Sequence, residues 1–226
     1  MSNVKCQMSN VFVIIPAYNE GAVIADTIRD VQRYCQNIIV VDDGSQDKTY
    51  EETKRTGATV LRHIINRGQG TALRTGINYA LSRGADIVIT FDADGQFDAG
   101  EIYKLCQPII SGECDVVLGS RFLEKNKTPF VKKIILKSAT IFTRAITGLS
   151  ITDTHNGFRA FSRKAAQQIK IRQDRMAHAS EIIHEIARLK LRYKEMPVKV
   201  NYTDYSKGKG QKITGSFRIL FDLIFK

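Results

Sequence analysis

Asp92 and Asp94, with the amide of Gln96 two positions further on, are the side chains best suited to hold a metal ion. Carboxylate and amide oxygens are hard donors, matched to Mg²⁺ or Mn²⁺ ions that also take phosphate oxygens. The segment Phe91-Asp92-Ala93-Asp94-Gly95-Gln96 follows Asp86-Ile87-Val88-Ile89-Thr90, an apolar run that reads as a buried strand. Open α/β sheets bind ligands at the carboxyl ends of such strands. Taken alone, the pair also describes an acidic turn bent by Gly95, so its surroundings have to decide.

Those surroundings alternate short apolar runs with helical patterns. Strand candidates are Val11–Ile15, Ile38–Val41, Thr59–Ile64, Asp86–Phe91 and Asp115–Leu118, with helical stretches near 20–35, 47–56, 69–83 and 98–111. Such alternation predicts right-handed β-α-β units and a mainly parallel sheet with helices on both faces. Each unusual polar cluster then falls at a strand's carboxyl end. Pro16-Ala17-Tyr18-Asn19-Glu20 follows the first strand and Asp42-Asp43-Gly44-Ser45 the second. Asn66-Arg67-Gly68-Gln69-Gly70 follows the third, and the acid pair follows the fourth. Polar loops gathered on one rim predict a nucleotide-binding crevice.

A chain of 226 residues, 43% hydrophobic and 25% charged, has the size and composition of one globular domain. No apolar run approaches the roughly 20 residues that span a bilayer. The start, Met1-Ser2-Asn3-Val4-Lys5-Cys6, lacks a signal-peptide core, so an intracellular protein is expected. Cys6, Cys35, Cys106 and Cys114 show no metal spacing and read as reduced, buried thiols. Charge is unevenly spread. Residues 1–120 hold 11 Lys/Arg against 15 Asp/Glu, whereas residues 121–226 hold 23 against 8. The basic half calls for an anionic partner: phosphates, a nucleic acid or an anionic membrane. No stacking aromatics interleave with the Lys/Arg residues, which argues against nucleic acid.

Within the basic half, residues 130–149 place Val131, Ile134, Ile135, Phe142, Ala145, Ile146 and Leu149 at helical spacing. Lys133, Lys137, Thr140 and Arg144 line the opposite stripe, free of the acids that a solvated face usually mixes in. Such a helix either packs on the sheet or lies in a membrane interface. The stretch Ile213–Phe225 is more apolar still, and Ser206–Lys212 reads as a mobile basic loop.

Six motifs in fixed order carry a resemblance: V-I-I-P-A-Y-N-E, V-V-D-D-G-S-x-D, G-x-G-T-A-L-R-T-G, F-D-A-D-G-Q, G-S-R-F and D-T-H-N-G-F-R-A-F-S. Over nearly all of residues 11–212 the chain resembles family 2 inverting glycosyltransferases of the GT-A fold. Within that family it resembles polyprenyl-phosphate sugar transferases of the dolichol-phosphate mannose synthase type. The resemblance implies an α/β, Rossmann-like, mostly parallel sheet with helices on both faces and amphipathic membrane-surface helices. It implies one domain over residues 1–226, with a nucleotide- and metal-binding half (11–120) and a basic, acceptor- and membrane-facing half (121–226).

The implied activity moves a sugar, with inversion, from a nucleotide sugar to a polyprenyl phosphate at the cytoplasmic membrane face, for cell-envelope glycan synthesis. Pro16, Ala17, Tyr18 and Glu20 would wall the base and ribose, and Val41 and Asp43 would close the base pocket. Asp92, Ala93 and Asp94 would line the diphosphate, with Asp92, Asp94 and Gln96 holding Mg²⁺ or Mn²⁺. Arg121 and Lys209 would contact phosphate, Arg through its planar fork. Lys132, Lys133 and Arg144 would receive the acceptor phosphate, and Gly208 and Gly210 would let the loop bearing Lys207, Lys209 and Lys212 close. Asp153 and Glu181 are the acids near the acceptor. A hydroxyl acceptor needs such a base; a phosphate monoester, with a second pKa of about 6, does not.

The chain also departs from that type. Thr203 stands where an Arg is usual, and His155-Asn156 replaces Thr-Ser or Thr-Gly before Gly-Phe-Arg. UDP-linked sugars are therefore expected ahead of GDP-mannose. A separate small membrane protein, docking on Ile213–Phe225, would supply the anchor that larger relatives carry. Two alternatives stay open: transfer to a hydroxyl of a polysaccharide or lipid-linked glycan, and a nucleotidyltransferase or nucleotide-binding module. The second usually has a Gly-rich basic loop where this chain has Pro-Ala-Tyr-Asn-Glu. His155 and His184 lack a completing set of ligands and read as local hydrogen bonders.

Overall fold

The computed structural model describes residues 10–123, 130–175 and 177–201. Their sheet has seven strands in the order β3-β2-β1-β4-β6-β5-β7. Strands β1 (Val11–Ala17), β2 (Asn37–Asp42), β3 (Thr59–Arg62) and β4 (Ile87–Thr90) run parallel. Strand β6 (Arg159–Ser162) is inserted antiparallel between β4 and β5 (Val116–Ser120), and β7 (Tyr193–Pro197) extends β5 in parallel. The acidic and basic halves of the chain thus share one sheet.

Helices cover both faces, as the alternation predicts. Because strand side chains alternate, β1 sends Val13 and Ile15 to one core and Ile14 to the other, and β2 divides Val40 from Val41 likewise. The first core is closed by α1 (Ile24–Gln32) and α4 (Ile102–Ile110), through Ile24, Ile28, Val31, Ile102 and Leu105. Helix α2 (Thr49–Arg55) flanks α1. The second core is closed by α3 (Gln69–Ser82), α6 (Arg163–Gln168) and α7 (His178–Arg188). Helix α3 lies directly on β1, because Gly76 offers no side chain. A Cβ there would overlap the Ile14 side chain and press on Val41, so Gly76→Ala would push α3 off the sheet. Each fully buried Ile or Leu contributes roughly 1.5–3 kcal/mol.

Helix α5 (Phe130–Thr147) packs on α7 in an orientation that the sequence reading did not anticipate. Ala139, Thr140 and Thr143 are buried, while Ile134, Ile141 and Ile146 stand exposed, Ile141 at 66%. Small residues and threonines therefore face the body. Thr140, expected on the cationic stripe, instead returns its hydroxyl to the Leu136 carbonyl at 2.9 Å. Lys137 and Arg144 are exposed beside the outward isoleucines.

The first five strands match the sequence reading to within a few residues. Strand β6 did not announce itself, since four residues, Arg-Ala-Phe-Ser, give no clear period. Cys35, Cys106 and Cys114 are buried free thiols, held by burial up to about 11, 12 and 11 respectively. Cys6, Thr203, Ser206–Lys212 and Ile213–Phe225 lie outside the described residues.

Candidate active site

The loops after β1 and β2 are clasped together. Asn19 adopts a left-handed conformation (φ 53°), which Asn tolerates better than most residues. That turn aims its amide at Ser45 Oγ (2.9 Å), while its Oδ1 accepts from the Gln46 amide (2.9 Å). The Glu20 amide donates to Thr49 Oγ1 and the Gly21 amide to Asp47 Oδ2. Tyr18 is left 42% exposed on the rim, with Glu20 partly exposed beside it. Pro16 and Ala17 are buried in the strand end. Val41, expected to close the base pocket, is fully buried under α3. The parity of β2 turns it to the floor, so it shapes the crevice by packing alone.

Asp43 is buried and knots β2 to the next loop. It accepts from His63 Nδ1 (2.7 Å), the Arg67 amide (3.0 Å) and the Gly68 amide (2.6 Å), while His63 Nε2 meets Thr75 Oγ1 at 3.0 Å. An ionised carboxylate has about four acceptor sites, so at most one remains for a nucleobase. His63 was not singled out in the sequence. A lone His three residues before an Asn-Arg-Gly loop carries no periodic signal.

The acid pair sits at the tip of β4, as expected. Gln69 Nε2, at the start of α3, donates to Asp92 Oδ1 at 3.0 Å, and the Gly157 backbone abuts the same carboxylate. Burial, then repulsion from Asp94, raises the Asp92 carboxyl well above the usual carboxylate range, despite opposing pull from Arg121 and Arg159. Asp94 accepts from the Gln96 amide and from Gln96 Nε2 (2.6 Å). Gln96 thus turns its nitrogen, not its oxygen, toward the acids, and its amide must rotate to join a cation as a ligand. Ala93 is buried, with its carbonyl bound by Thr27 Oγ1.

Beyond β5 the acids are already engaged. Asp153, expected as a base, is 2% exposed and holds Arg121 through Nε at 2.6 Å and through the Arg121 amide at 3.1 Å. Glu195 on β7 accepts from the Thr152 and Asp153 amides, fixing the turn that carries Asp153. Arg121 also donates to the His155 carbonyl. Glu181 accepts from the Arg172 amide at 3.0 Å and the Gln173 amide at 2.9 Å, tying a loop to the start of α7. Burial holds the His155 and His178 imidazoles down to about 4. Among the described residues, Nδ1 of His155 is buried without a hydrogen-bond partner, and His184 is exposed. Arg144 is exposed on α5; the Lys132 and Lys133 side chains and Lys209 lie outside the described residues.

The chain matches known proteins in sequence and in fold. Residues 12–170 match the family model "Glycosyl transferase family 2". The chain belongs to glycosyl transferase family 2. It is 41% identical to the uncharacterised protein MJ1222 of Methanocaldococcus jannaschii, over 96% of this chain and 91% of that one. It is 35% identical to the UDP-N-acetylglucosamine–dolichyl-phosphate N-acetylglucosaminyltransferase of Methanococcus voltae, over 95% of this chain and 94% of that one. The glucosyl-3-phosphoglycerate synthase of Mycobacterium tuberculosis, solved with Mn²⁺ and UDP-glucose, superposes with TM-score 0.75 at 19% identity. It covers 99% of this chain and 80% of that one.

For this glycosyltransferase the donor set at β4 suits a divalent cation. No group of three or more His, Cys, Asp or Glu gathers among the described residues, so Asp92 and Asp94 could supply only part of a coordination shell. Mg²⁺ characteristically takes one or two carboxylates and completes its shell with phosphate oxygens and water. The repulsion that raises Asp92 is what such an ion would relieve.

Proposed function

We propose that this family member transfers a sugar from a nucleotide sugar, UDP-linked rather than GDP-linked, to a polyprenyl phosphate at the cytoplasmic membrane face. Cell-envelope glycan synthesis is the process such a product would feed. One observation carries the choice of acceptor: both candidate bases are already spoken for. Asp153 neutralises Arg121 inside the protein, and Glu181 holds two backbone amides. A hydroxyl nucleophile needs a base within reach. A phosphate that is mostly dianionic at neutral pH does not. The Methanococcus voltae relative, named for UDP-N-acetylglucosamine and dolichyl phosphate, supports both donor and acceptor.

The described side chains divide the work. Tyr18, Glu20 and Asp43 frame the base and ribose, while the buried Pro16, Ala17, Val41 and Ala93 fix the crevice floor. Asp92 and Asp94, with Gln96 after its amide turns, hold Mg²⁺ or Mn²⁺. That ion supplies Lewis-acid stabilisation of the diphosphate leaving group. Arg121, oriented by Asp153, would contact phosphate through its guanidinium. Asp153 is thus a positioning residue. Asn201 donates its amide to the Gln96 carbonyl at 2.8 Å, so the chain leaving β7 departs beside the acids. Lys209, outside the described residues, would contact phosphate.

The outward isoleucines of α5, flanked by Lys137 and Arg144, fit the acyl–headgroup boundary of an anionic leaflet. Lys132, Lys133 and Arg144 would gather the acceptor phosphate there. The test is a transfer assay with UDP-N-acetylglucosamine, UDP-glucose and GDP-mannose, offering polyprenyl phosphate in anionic vesicles or a soluble glycan hydroxyl. An acid-labile lipid-linked sugar phosphate made from a UDP-sugar is expected. Transfer to the hydroxyl alone would overturn the reading.

A further inference from the structure

We infer that Gln69 is a positioning residue that sets the orientation of Asp92 for cation binding; the inference rests on the proposed metal role of the acid pair. Three observations converge on it. Gln69 opens α3 and donates its Nε2 to Asp92 Oδ1 at 3.0 Å, so the amide holds one carboxylate oxygen and leaves the other to its surroundings. Gly157 also abuts the carboxylate, where any Cβ would overlap both Asp92 oxygens. Thr90 Oγ1 pins the Gly157 carbonyl at 2.6 Å, so that wall cannot retreat. Asp92 is therefore cradled by an amide donor and a bare backbone. This matches a ligand whose rotamer must be fixed before the ion arrives.

Gln69 is itself held from two directions. Gly68, at φ 96°, gives its amide to Asp43 Oδ2 at 2.6 Å, and Gly70 gives its amide to the Asp174 carbonyl at 2.8 Å. Neither glycine has room for a side chain: a Cβ on Gly68 would overlap the Asp174 carbonyl, and one on Gly70 the Gln173 carbonyl. The loop they press against is the one that Glu181 holds through the Arg172 and Gln173 amides. A line of contacts thus runs from α7, through residues 172–174 and the Gly68–Gly70 turn, to Gln69 and the acid pair. It also gives Glu181 a place in the site without contact to substrate.

The test measures Mn²⁺ binding, by electron paramagnetic resonance of the free ion in the presence of UDP, for wild type, Gln69→Leu, Gly157→Ala and Asp94→Ala. Residues that hydrogen-bond a metal's ligands typically contribute 10–100-fold in affinity. Gln69→Leu is expected to weaken Mn²⁺ binding about tenfold or more while leaving metal-free UDP affinity and the melting temperature unchanged. Gly157→Ala, which displaces Asp92, is expected to weaken Mn²⁺ binding likewise. If Asp94→Ala abolishes binding but Gln69→Leu matches wild type, the inference on Gln69 fails and the metal reading stands. If Asp94→Ala also binds as wild type, the metal reading itself fails. If Gln69→Leu lowers UDP affinity in EDTA as much as in Mn²⁺, Gln69 touches the nucleotide directly and the positioning role is overturned.

Discussion

At the tip of β4, Asp92 carries a carboxyl raised by burial and by Asp94, whereas across the crevice Asp153, Glu181 and Glu195 each accept several donors. The two regions use the same residue type for opposite ends. Acids satisfied by arginine and amides stabilise the fold and have little left to offer a ligand. Acids placed side by side cost stability, a cost that a bound cation would offset. Two carboxylates crowded together at a strand tip, rather than the mere presence of carboxylates, mark the candidate site.

Substitutions on the two sides should therefore separate. Asp94→Ala is expected to lower kcat about 10³-fold at saturating Mn²⁺, the scale of a lost transition-state charge contact. Its melting temperature should be unchanged or slightly higher, since a repulsion is removed; steady-state kinetics with thermal unfolding checks both. Asp153→Asn should instead act first on stability, with any loss of kcat following from a misplaced Arg121. Leaving Arg121 buried without its anion is expected to cost about 3–5 kcal/mol in denaturant unfolding. A fully stable Asp153→Asn protein with an altered pH–rate profile would restore Asp153 as a base and blur the contrast.

Acid should also act on the second region first. His178, buried and neutral, is held down to about 4 from an ordinary 6.5. Between those values the unfolded chain binds a proton that the native state refuses, so stability falls as pH drops from about 6.5 toward 4. The loss from this group is on the order of 2–3 kcal/mol. His178→Gln should flatten the pH dependence of unfolding across that window, and an unchanged slope would remove His178 from the account. The smallest effect belongs to α5. Ile141→Ser is expected to weaken retention on anionic vesicles about tenfold, consistent with one apolar side chain, at unchanged stability. Equal retention in a flotation assay would show that this face does not meet lipid.

The two regions also differ in how much of them the sequence revealed. Strands β1, β2, β4 and β5 were legible because parallel strands buried on both faces leave short apolar runs, and the polar loops at their tips stand out against them. Asp92, Asp94 and Asp43 were found for that reason. The bonds that position them were not. Gln69 reaches Asp92 across 23 positions and Glu195 reaches Thr152 across 43, and no local periodicity records such pairings. Asp153 and Glu181 looked available because a sequence shows acids without showing their donors. Helix α5 misled in another way. Its spacing revealed an amphipathic helix, but the face turned inward proved to be the one with Ala139, Thr140 and Thr143, because close packing on α7 favours small side chains over large ones.

The most direct test of the central claim is diffraction at the manganese edge from crystals grown with Mn²⁺ and UDP-N-acetylglucosamine. The account predicts an anomalous peak joining the Asp92 and Asp94 carboxylates to the diphosphate, with the base seated between Tyr18 and Asp43. An ion and nucleotide both bound away from the tip of β4 would contradict it.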